Sequence, residues 1–193
     1  MQGTEVYADL VAGLNEKMRR RVGKLSPEAL AWQPDAEGNS VGVTVWHVAR
    51  WLDVIARIFN QKPQSEELWL TQGWAARTGY NPQGIGSLGL GALTGYTQEE
   101  VGAIPQLNAE ELLTYLDQSS EALRAYLLSL PSFDALLEPV PGWVQPEPTK
   151  HQLFKDVLIG CLGHVGEIEA LTAMMRRAQA AHAAASANAN KVG

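Results

Sequence analysis

Two histidines sit where a side chain could do chemistry. His47 lies in "SVGVTVWHVARWLDVIARIF" (residues 40–59) and His164 in "GCLGHVGEIEAL" (residues 160–171). Both fall inside helical patterns among apolar neighbours, and imidazole is the commonest side-chain metal ligand. The other two of the four histidines carry less signal. His182 is in an Ala/Asn-rich end. His151 opens a helix as a solvated residue and, at about 1.5 Å rise per residue, stands on the order of 20 Å from His164, too far to share an ion. Spacing alone gives His47 a plain role: Arg50, Asp53, Arg57 and Asn60 follow at helical intervals as a wet polar stripe that His47 begins. His164 lies beside an apolar face of Val157, Cys161, Val165, Ile168 and Thr172, with Gly160, Gly163 and Gly166 around it. Each glycine costs up to about 1 kcal/mol in a helix interior. Three at this spacing point to a neighbouring helix or ligand that approaches the backbone closely.

The elements that must position these residues read as helices. An apolar face of Tyr7, Leu10, Val11, Leu14, Met18 and Val22 predicts a first long helix from about Thr4 to Leu25. Ser26 and Pro27 open a short turn that Pro34 and Gly38 end. Ser40 caps the second long helix. Asn108 and Glu111 have capping-box spacing before a stripe of Leu112, Leu116, Leu123, Tyr126 and Leu127, which Pro131 stops. Thr149 and Gln152 repeat that spacing before the fourth. Residues 62–107 form a long insert with a short helix in "SEELWLTQGWAART", a glycine-rich stretch and a capped turn at "TQEEV". An insert of this length in one domain is usually a functional loop or lid. The expectation is an all-α four-helix bundle with a long crossover insert between the second and third helices, spanning residues 1–178. Residues 179–193 form a frayed Ala/Asn-rich tail.

Composition narrows the function classes. The chain has 193 residues, 46% hydrophobic and 19% charged, which is enough for a full core without staples. A formal charge of −6 argues against nucleic acid as the main partner. The basic run "EKMRRRVGK" (16–24) reads as a solvated helix face. The single cysteine, Cys161, excludes an internal disulfide framework and suits a reducing cytosol. "MQGTEVYADL" lacks a basic segment followed by an apolar one, so no secretory signal is expected, and no membrane span stands out. Gly84, Gly86 and Gly89 match G-x-G-x-x-G, but no strand precedes them and no helix follows, so they read as a loop.

Several stretches resemble the DinB-like (DinB/YfiT) family of four-helix-bundle proteins. They are "LSPEALAWQPDAEGNS", "NSVGVTVWHVARWLDVIARIF", "LWLTQGWAARTG" and "GHVGEIEAL", in that order over nearly all of residues 4–178. The resemblance implies a divalent metal, often zinc or nickel, held by one histidine of the second helix and two ligands of the fourth. By position these are His47 and His164, with the third ligand four residues before His164. That position is Gly160, which has no side chain. Cys161 and Glu167, each three residues from His164, are the possible substitutes, since thiolate and carboxylate both bind zinc. In the family Glu167's position more often supports its surroundings.

Three functions remain open. The first is a bundle with a partly lost metal site that binds a small apolar or thiol ligand in a pocket with Trp46, Trp51, Gly160, Trp69 and Trp74, and holds no metal or a weakly bound one. The second, which the resemblance implies, is a divalent-metal-dependent thiol S-transferase, isomerase or hydrolase with the insert as lid. The third is a dimeric interaction module. The resemblance also implies a homodimer. The four tryptophans read equally as ordinary core.

Overall fold

The computed structural model describes residues 3–144 and 146–189. Its helices are α1 (Gly3–Val22), α2 (Pro27–Ala31), α3 (Val41–Phe59), α4 (Leu68–Thr71), α5 (Trp74–Thr78), α6 (Gln98–Gly102), α7 (Ala109–Ser129) and α8 (Lys150–Ala189). No strand occurs among the described residues, so the chain is all-α. The four long helices form a bundle in which α3 and α1 each pack against both α7 and α8.

The caps explain why the helices start where they do. Ser26 and Ser40 accept backbone N–H groups three residues on, with Pro27 in the first turn of α2. Thr97 with Glu100 and Asn108 with Glu111 form reciprocal capping boxes. Thr149 and Gln152 exchange the same pair of bonds, at 2.8 and 3.1 Å.

The buried faces follow the expected stripes with one exception in α1. Leu10 is 42% exposed, and Ala8 is buried with Val11, Leu14, Met18 and Val22. In the basic run, Arg19, Arg20 and Arg21 pair with Asp117, Glu16 and Glu169 respectively, all exposed. α8 continues through Ala189, so residues 179–189 are helical rather than frayed, while residues 190–193 lie outside the described residues. Alanine extends an already nucleated helix at low cost, although residues 176–187 are all exposed. By length and composition α8 could cross a membrane. Its buried side, with Phe154, Leu158, Cys161, Val165, Ile168 and Leu171, is part of the bundle core.

The polar stripe of α3 is wet only at its end, where Arg57 is partly buried and Asn60 exposed. Arg50 is 0% exposed and Asp53 2%. Arg50 donates from Nε to the Gly91 carbonyl, from Nη1 to Asp53 and Tyr115, and from Nη2 to Glu67 and the Leu90 carbonyl, at 2.8–3.3 Å. A guanidinium has five N–H groups, and five bonds are made. Asp53 accepts the Tyr115 hydroxyl and the amides of Leu68 and Trp69, and so caps α4. Arg57 donates to the other oxygen of Glu67. The insert is therefore clamped to α3. Trp46, Trp69 and Trp74 fill the space beside this network, with Trp46 edge-on to Trp69 at 5.9 Å and Trp69 stacked on Trp74 at 6.0 Å.

Removing one member of a buried ion network strands the others, at a cost of about 3–5 kcal/mol. Arg50→Ala should lower unfolding stability by that amount in urea titration. Arg19→Ala, at an exposed pair, should cost under about 1 kcal/mol.

Candidate functional site

α3 and α8 bring His47 and His164 together. Their ring centroids are 4.8 Å apart with the planes at 88°. Each ring is fixed through Nδ1. His47 Nδ1 donates to the Ala92 carbonyl at 2.6 Å, and His164 Nδ1 donates to Glu167 Oε2 at 2.6 Å. The second oxygen of Glu167 lies 3.4 Å from the Thr44 hydroxyl, so one carboxylate spans the two helices.

Beside the rings is a cavity of about 270 Å³. His47 and Trp51 line it from α3, and Asp156, Gly160, Cys161 and His164 from α8. Leu153 and Val157 add apolar wall. Of the five residues expected around a pocket, Trp51 and Gly160 are here. Trp46, Trp69 and Trp74 are not among the lining residues and pack in the core cluster. No residue of the 62–107 insert lines the cavity either, so the insert is a buttress behind His47 and not a lid over this cavity. The G-x-G-x-x-G match lies in that buttress. Gly91, two residues after it, has φ of +63°, and a Cβ there would stand 2.3 Å from the Pro82 carbonyl oxygen.

Two expectations about α8 need correcting. A Cβ built on Gly160, Gly163 or Gly166 meets nothing within 4 Å, so no other helix among the described residues approaches them closely, which leaves a ligand as the open reading of these glycines. His151 is not merely solvated: its Nδ1 is 2.8 Å from the Tyr7 hydroxyl, and its ring stacks on that tyrosine. Leu153 and Asp156 were missed as lining residues, although both lie at helical spacing before Gly160 and His164.

The match of the DinB superfamily covers residues 13–167, most of the chain. The chain belongs to the DinB superfamily. It is also similar to the crystal structure of a conserved protein from Enterococcus faecalis, with a TM-score of 0.75 and 19% sequence identity over 90% of this chain and 97% of that one. That likeness shows the fold. No curated protein matches in sequence.

The divalent metal implied for a DinB-like site does not fit this donor set. Among the described residues no three His, Cys, Asp or Glu side chains are placed to hold an ion. Gly160 offers no ligand. Burial pushes the Cys161 thiol up to about 12, away from the thiolate that zinc takes. The hydrogen bond from His164 engages the Glu167 carboxylate and lowers its pKa. Two imidazole nitrogens are what remains.

Burial, with the nearby His164 second, depresses His47 from 6.5 to about 4. Its charged form is thus disfavoured in the folded chain. The unfolded chain takes up the proton first as pH falls, so the stabilising contribution is complete above about 6.5 and is lost progressively between about 6.5 and 4. NMR titration of the ring should show His47 neutral at pH 5.5. His47→Gln should flatten that part of the stability–pH curve.

Proposed function

We propose that this chain is a small-molecule-binding member of the DinB superfamily. It takes a small apolar or thiol-bearing ligand in the cavity between α3 and α8 and lacks a competent three-ligand metal centre. One observation supports this above the others. His47 and His164 line a single cavity with Gly160, so space stands where the third ligand was expected. A volume of about 270 Å³ lies just below the range of drug-sized sites and suits a compact ligand. Trp51, Leu153 and Val157 suit an apolar body, and a neutral imidazole can accept from a thiol S–H.

A ligand that binds only the native state raises its stability, by about 2.7 kcal/mol at a hundredfold excess over Kd. Butanethiol or butane-sized apolar compounds should raise the melting temperature of the wild-type chain. Gly160→Leu, which fills the space and meets no neighbour at its Cβ, should abolish the shift. Equal shifts in both proteins would sink the proposal.

The second reading is a metal-dependent transferase or hydrolase. Its support is that both rings donate Nδ1–H to an oxygen, as metal-ligating histidines do. On the first reading the wild-type chain holds zinc or nickel weakly, and Gly160→His binds near-stoichiometric zinc by elemental analysis. Stoichiometric zinc in the wild type that disappears in His47→Ala favours the second reading.

A homodimer belongs to the proposal. α8 exposes Ile159 (62%), Leu162 (38%) and Met174 (41%). A cytosolic location is proposed from the single, reduced Cys161.

A further inference from the structure

A second cavity, of about 450 Å³, opens where the first turns of α3 and α7 meet α2 and α6. It shares no lining residue with the cavity beside His47. The insert, absent from that other wall, supplies one side here with Gln98, Val101, Gly102, Ile104 and Pro105. Gln98 Nε2 donates to the Glu37 carbonyl at 3.4 Å, which ties α6 to the turn before α3. α2, α3 and α7 close together at Gly42, where a Cβ would stand 3.3 Å from the Leu30 carbonyl oxygen and 3.8 Å from Leu112 Cδ1. The lining residues Leu30, Ile104 and Leu107 are buried and apolar. Ala31 and Gly102 keep the space open, and a Cβ on Gly102 would meet nothing within 4 Å.

The wall has almost no charge to offer. No lysine, arginine, histidine or aspartate lines the cavity. The carboxylate of Glu111 is engaged, its Oε2 accepting the Asn108 amide at 3.0 Å in the capping box of α7. An ion entering here would give up part of its water without gaining a counter-charge, which is costly. The polar groups at hand are carboxamides instead. Gln33 and Gln98 commit Nε2 to the carbonyls of Gly38 and Glu37, and neither amide oxygen has a partner among the described residues. The side-chain amide of Gln106 has none at either atom. A carboxamide both donates and accepts without charge.

We propose that this is a second ligand site, for an uncharged molecule with an apolar body and one carboxamide-like group. The volume falls in the range of about 300–1,000 Å³ typical of small-molecule sites. The site stands independently of the ligand reading of the histidine cavity.

Three probes of matched shape and different charge test it by isothermal titration into the full chain: 3-phenylpropanamide, 3-phenylpropanoate and 3-phenylpropylamine. The amide should bind about tenfold or more tightly than either ion. Gly102→Leu, which fills the space without meeting a neighbour at its Cβ, should abolish binding of the amide, and so should Ala31→Leu on the α2 side. Gly160→Leu, in the other cavity, should leave it unchanged. Circular dichroism melts of the variants check that each is folded. No binding of the amide, an ion that binds as tightly, retained binding in either Gly102→Leu or Ala31→Leu, or a loss in Gly160→Leu would overturn the second site. None of these outcomes bears on the thermal shift with butanethiol, which reports on the histidine cavity alone.

Discussion

The fold is organised around one buried cation. Arg50 has no exposure and satisfies every donor it carries with groups from α3, α7 and the insert. With Arg57 beside it, two positive groups face the two carboxylates of Asp53 and Glu67. Such a cluster is a poor source of net stability, because desolvation of the ions consumes much of their attraction. What it provides is direction. Hydrogen bonds to the carbonyls of residues 90 and 91 and to the amides of 68 and 69 leave the insert one way to lie on α3. Apolar packing of the tryptophans alone would not enforce that.

The sequence disclosed the helices well because their signals are local. A cap and its partner lie three residues apart, and every such pair read from the sequence is made. The apolar stripes of α7 and α8 are local in the same way. The stripe of Arg50 and Asp53 misled for the opposite reason. Periodicity shows that polar residues share a face but not what the face meets. Glu67 and Tyr115, which convert that face from solvent to core, arrive from elsewhere in the chain. The exposed end of α8 shows the reverse error: low complexity suggested fraying, whereas alanine's propensity is enough to continue a helix that the bundle has already started.

At the candidate site the histidine pair could be singled out because each lies in a stretch that resembles the DinB-like family. The same resemblance is what made Gly160 the position where a third ligand was expected. The tryptophans could not be sorted, since a large aromatic reads alike in core and pocket, and only Trp51 lines the cavity. The glycines of α8 raised an expectation of close approach by a helix or a ligand; no helix among the described residues comes near, so what Gly160 contributes is space. No sequence signal could have revealed Ala92, whose contribution is a backbone carbonyl.

That carbonyl has a further consequence. Residues 90, 91 and 92 present three successive peptide oxygens to α3, two to Arg50 and one to His47. One short piece of backbone thus forms the back of the imidazole and part of the cage around the guanidinium. A sideways push on the His47 ring is passed through two peptide units to the ion cluster, and a shift of the cluster returns to the ring. The cavity wall and the electrostatic centre of the molecule are one mechanical part, so neither can be softened alone.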